Sequence, residues 1–85
     1  VTADRWVVHV PVTAHDLTRA RLLARVVART LAHLRPAVDL GDTTVSPEDD
    51  QGVHHRVFCD RLLAPGRRCG LPDGHAQSCA TRGRP

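Results

Sequence analysis

Eighty-five residues, with 41% hydrophobic and 25% charged, make one small globular domain and exclude wholesale disorder. Trp6 and Phe58 are the only aromatic residues, so Val, Leu and Ala must form the core, and a chain of this size gains from a staple. The net charge of +3 is unevenly spread: residues 1–53 hold six Arg against seven acids, and residues 54–85 hold six Arg against two. The basic character therefore sits in the part that also carries all three cysteines, and such a field favours a polyanion. All twelve basic residues are Arg, which fits the codon usage of a GC-rich genome as well as any demand for phosphate contacts. No apolar run approaches the ~18 residues of a membrane span, and no basic-then-apolar leader opens the chain. A cytoplasmic protein is the expectation.

From Arg5 to Val12 the sequence alternates, with Trp6, Val8, Val10 and Val12 on one side, which predicts a half-buried strand kept to an edge by Pro11. Thr13 as N-cap, with Asp16 three residues on, predicts a helix to about Leu34, stopped by Pro36. Leu17, Ala20, Ala24, Val27, Leu31 and Leu34 form its buried stripe, widened by Leu23 and Ala28. Arg21, Arg25 and Arg29 stack on another face and read as solvated, while Leu22 and Val26 read as an exposed apolar pair open to a dimer contact.

A second strand is expected over 37–45, bent at Gly41, and a third over 53–59, separated by a solvated acidic turn at 46–52. The fold class is then α+β: a β-α-β-β, half ferredoxin-like, three-stranded sheet with one helix, followed by a C-terminal zinc-binding hairpin or loop module. Residues 1–58 form the scaffold, 59–79 the metal module of the same compact domain, and 80–85 a flexible tail.

The chemistry lies in the spacing C-x9-C-x5-H-x3-C of Cys59, Cys69, His75 and Cys79. Three thiolates and one imidazole complete a tetrahedral Zn2+ shell of the closed, structural type. Pro65-Gly66 predicts a turn that lets Cys59 and Cys69 face one another, and Asp73-Gly74 tightens the second loop. His75 and Cys79, four apart, suit one face of a helical turn. Three cysteines cannot all pair within one chain, and a reducing compartment disfavours disulfides. Free or oxidised thiols and a redox cysteine are the alternatives, the latter without a C-x2-C motif. His54 or His55 could take the place of His75, whereas His9, His15 and His33 read as surface or boundary residues.

The stretch Cys69-Gly-Leu-Pro-Asp-Gly-His75 resembles the C-x-L-P-x-G-H tails of small zinc-ribbon-like proteins of high-GC bacteria and their phages or mobile elements. That resemblance implies zinc and no activity.

Two readings of function follow. The first is a zinc-stabilised, non-enzymatic accessory or protein-interaction module, with a protein partner or a second copy of itself. The second is a nucleic-acid-binding or regulatory protein that meets phosphates through Arg61, Arg67, Arg68, Arg82 and Arg84; the sequence has no aromatic platform for bases. An enzyme is not expected: there is no nucleophile–base pair, no phosphate-binding glycine loop and no small-molecule substrate in view, and four protein ligands leave zinc no open position.

Overall fold

The computed structural model describes residues 4–81. It is a small α+β fold with one long helix and two separate two-stranded antiparallel sheets. The helix, α1, spans Leu17–Thr30. Asp16, not Thr13, is its N-cap: the backbone is extended there and the carboxylate accepts the Arg19 amide at 2.8 Å. Asp16 stands immediately before the apolar run and also pairs with the Arg19 side chain at 2.9 Å, so it satisfies an orphan amide and complements the helix dipole at once. Asp16→Ala is expected to cost about 1 kcal/mol, read as a small drop in thermal midpoint with the helix retained. The helix ends four residues early. Thr30 Oγ1 donates back to Val26 O and the Leu31 amide is shared by Val27 O and Ala28 O, after which the chain tightens into a 3-10 turn over Ala32–Leu34.

The expected three-stranded β-α-β-β sheet is not formed. Residues 37–42 coil instead, with a 3-10 turn at Leu40–Asp42 closed by Thr43 Oγ1 donating to Leu40 O. Only Thr44–Val45 (β1) and His55–Arg56 (β2) pair, antiparallel, with Thr44 opposite Arg56. With the central segment coiled, the alternating run at 5–12 has no ladder to join. It forms no strand and stays exposed, held to the fold through Arg5, which reaches Asp39 at 3.3 Å and Asp42 at 3.2 Å. The acidic turn is exposed over 47–52, as a solvated loop should be, with Ser46 half-buried, and is closed by the Asp50 and Val53 amides.

The core is small: Ala28, Leu40, Val57 and Phe58, bordered by Ala24, Leu31, Ala32, Val38 and Val45. Of the predicted stripe, Ala20, Ala24, Val27 and Leu31 are half-buried, while Leu17 and Leu34 remain exposed because no sheet extends far enough to cover both helix ends. Leu22 and Val26 are exposed. Arg21 is half-buried and bonded, in contrast to the solvated face expected. Its Nε donates to Arg56 O at 3.0 Å and its guanidinium approaches Asp73 at 3.9 Å, so it straps the helix to β2 and to the loop after Cys69.

Beyond β2 the chain changes partners. Val57 N–H still donates to Thr43 O, but Phe58 bridges Pro72, Asp73 N–H donates to Val57 O, and Cys59 N–H donates to Leu71 O at 2.8 Å. Residues 55–59 thereby join the core to the cysteine segment through continuous backbone bonding. Leu62–Ala64 (β3) and Arg67–Arg68 (β4) form a hairpin around Pro65-Gly66, with Gly66 at φ 75° as the turn requires. No helix among the described residues is long and apolar enough to cross a membrane.

Candidate metal centre

Cys59, Cys69, His75 and Cys79 converge, with one ligand atom from each and all four atoms within 4.8 Å of one another. Cys59 follows Phe58, whose backbone bridges Pro72, and is held by its own amide on Leu71 O. Cys69 follows β4 and is held by its own amide on Arg61 O at 2.9 Å, while its carbonyl accepts the Asp60 amide. The hairpin brings these two cysteines together as the turn signal predicted. His75 and Cys79 come from the loop beyond Pro72, which is irregular; the expected helical turn between them is absent. Gly74 at φ 78° turns the chain before His75, and the Gly70 amide on Ala80 O closes the loop at its far end.

Three of the separations match a tetrahedral shell. Zn–S near 2.3 Å and Zn–N near 2.0–2.1 Å put sulfurs about 3.8 Å apart and nitrogen about 3.6 Å from sulfur. Here Cys59 Sγ and Cys79 Sγ are 3.9 Å apart, and His75 Nε2 lies 3.5 Å from Cys69 Sγ and 3.7 Å from Cys79 Sγ. The imidazole is also oriented for a ligand. Nδ1–H donates to Gln77 O at 2.7 Å, which fixes the tautomer and leaves the Nε2 lone pair aimed at the three sulfurs. These four residues are positioned to hold a metal ion.

The thiols show what the cluster costs without a cation. Burial pushes Cys69 up, but hydrogen bonds from the Leu71 and Ala80 backbone and from Cys79 and Cys59 outweigh it and bring the thiol down to about 7. Cys79 is pushed up to about 11, first by burial and then by the neighbouring Cys69 and Cys59 sulfurs. One thiolate forms readily and opposes the next, a conflict that a divalent cation removes. Between about pH 7 and 11, Cys69 meets the metal already ionised and Cys79 must release its proton; below about 7 both must do so. Metal affinity is therefore expected to rise with pH, since binding displaces thiol protons. Competition titrations on either side of about pH 7 check this, and an affinity independent of pH contradicts it.

His54 and His55 stand outside the cluster: His54 Nε2 donates to Gln51 O, and His55 belongs to β2. Asp60 gave no signal in the spacing, yet it frames the site. At φ 55° it turns the chain directly after Cys59, and its carboxylate, only 16% exposed, faces Arg56 at 3.9 Å and Arg68 at 3.7 Å. Asp is one of the few side chains that tolerates this left-handed geometry. A side chain on Gly41 would run into the Asp60 carboxylate, which is why the 3-10 turn carries glycine there.

Of the predicted phosphate-contacting arginines, Arg61, Arg67 and Arg68 are exposed along the hairpin, and Arg82 and Arg84 lie outside the described residues. Arg61 and Arg68 line an open groove of about 570 Å³ with Arg5 and Arg56, but Asp39, Asp42 and Asp60 line it too. Carboxylates interleave the guanidiniums, and Arg68 also donates to Asp60 O. No protein family, curated protein or solved structure matches the chain.

Proposed function

We propose that this chain is a small zinc-stabilised, non-enzymatic interaction module, in which Zn2+ bound by Cys59, Cys69, His75 and Cys79 holds residues 59–79 against the 1–58 scaffold. The observation that carries this reading is the convergence of three sulfurs on an imidazole whose Nδ1 is already engaged by Gln77 O. A soft, thiolate-rich tetrahedral donor set suits zinc, and four protein ligands leave no position for a reacting water. Among the described residues little of the apolar content is used internally: five hydrophobic residues are buried while thirteen large ones are exposed, nine of them outside the helix. Single exposed residues are ordinary, but the run at 6–12 is contiguous, and this favours a protein partner.

The basic hairpin supports nucleic-acid binding as the second reading, weakened by the carboxylates interleaved in its groove. Native mass spectrometry of protein purified without added metal or chelator tests the first part: one zinc per chain is expected, and protein folded without metal contradicts it. A salt series with a DNA or RNA oligonucleotide separates the readings. Phosphate contacts give binding that falls steeply with salt, whereas the interaction-module reading expects none of consequence.

A further inference from the structure

Residues 6–13 have the pattern of a strand and none of its bonds. Among the described residues their backbone makes no hydrogen bond, while Trp6 is 87% and Val8 84% exposed. A row of free N–H and C=O groups beside an alternating apolar face is a template for another strand. We infer that the occupant is the same segment of a second copy, paired antiparallel about a two-fold axis through His9. The inference rests on the reading of the chain as an interaction module, and is independent of which metal the cysteines hold.

Three observations select this partner and this register. No charged residue lies between Trp6 and His15, so two copies pair without setting fixed like charges against each other. With His9 opposite itself, Val8 meets Val10 and Trp6 meets Val12, so both apolar faces fall on the same side of the ribbon. The same register sets Pro11 opposite Val7. Pairs alternate between bonded and non-bonded along an antiparallel ladder, so Pro11 and His9 fall in the non-bonded class, and the missing amide of Pro11 costs nothing. The bonded pairs are then Val8–Val10 and Trp6–Val12, each with its amides free.

A two-stranded ribbon needs its apolar face covered. Beside Val12 lies a groove of about 300 Å³, lined by Leu17, Ala20, Val45 and Pro47, between the start of the helix and β1. This register delivers Trp6 of the partner subunit next to Val12, at the mouth of that groove. Trp6, Val8 and Val10 are each 60% exposed or more, and a second copy seated in this register covers them together with the groove. The contact is isologous, so it closes at two copies.

Zinc-loaded full-length protein tests this by sedimentation equilibrium and by the emission of Trp6, the only tryptophan. Expected are a species of twice the 9.3 kDa chain mass and a blue-shifted emission that moves to longer wavelength on dilution as the dimer dissociates. Val8→Asp with Val10→Asp should give a monomer with red-shifted Trp6, with zinc content and helical circular dichroism unchanged, since neither residue belongs to the core. His9→Cys should cross-link to itself under mild oxidation, because a non-bonded antiparallel pair sits about 4.5 Å apart at Cα, within disulfide range. Thr13→Cys, out of register with itself, should cross-link at least tenfold more slowly. A zinc-loaded monomer at all concentrations, a dimer that survives the double Asp variant, or equal cross-linking of the two cysteine variants overturns the proposal. Loss of zinc from the wild type would count against the metal reading and leave the arm pairing to be judged on mass alone.

Discussion

Cys69→Ala is expected to release the metal and unfold the segment from Cys59 to Thr81. Cys69 is 2% exposed, and its sulfur lies 3.5 Å from His75 Nε2 and within 4.8 Å of the other two cysteine sulfurs. The loop that follows contains no helix and few backbone bonds of its own, so a bound metal would be its principal restraint. A structural zinc contributes an apparent ~10–16 kcal/mol, whereas each fully buried aliphatic or aromatic side chain contributes only ~1.5–3 kcal/mol. With four residues in the main core, removal of a ligand outweighs any single packing change. Even a loss of ~3 kcal/mol would lower the thermal midpoint by roughly 12–24 °C in a domain of this size. NMR amide dispersion should collapse for residues 59–81, His75→Ala should act in the same direction, and a chelator added to the wild type should reproduce the effect without touching the packing. Unchanged melting and dispersed spectra in both variants would exclude a structural metal.

Phe58→Ala comes second. The ring is 4% exposed and packs with Ala28, Leu40 and Val57, and the same residue bridges Pro72 through its backbone. Truncating a buried Phe costs ~3–5 kcal/mol, a large share of the ~5–15 kcal/mol that holds an ordinary domain together. Because residues 57–59 carry the bonds between the core and the cysteine loop, metal affinity should fall together with the melting temperature, and excess zinc should restore part of the loss by mass action. Leu62→Ala on the exposed hairpin should stay within about 0.5 kcal/mol of wild type. Equal effects of the two substitutions in thermal melts would mean that the core is not where the structure places it.

The candidate metal cluster is legible in the sequence because its signal is local. Three cysteines and a histidine within one short segment, with Pro65-Gly66 and Asp73-Gly74 between them, determine which atoms can meet, and the structure brings those four residues together. The helix was legible for the same reason, since its period is internal to the segment, although Asp16 and Thr13 compete for the cap and only the structure separates them. The sheet was not. Alternation at 5–12 and apolar content at 37–45 show that each segment suits a strand, but a strand also needs a neighbour, and the neighbour at 37–42 is taken by the Leu40–Asp42 turn. Gly41 looked like a bulge within a strand; its reason is the Asp60 carboxylate, nineteen positions on, a contact that no local pattern carries. Arg21 was likewise unreadable as a strap, because its partners at Arg56 and Asp73 are distant in sequence.

Zinc K-edge X-ray absorption of the purified protein reads the proposed metal shell itself. Expected are three sulfurs near 2.3 Å and one nitrogen near 2.0–2.1 Å, with the outer-shell scattering of an imidazole and no light-atom solvent ligand. A shell dominated by oxygen and nitrogen, or one with fewer than three sulfurs, would contradict it.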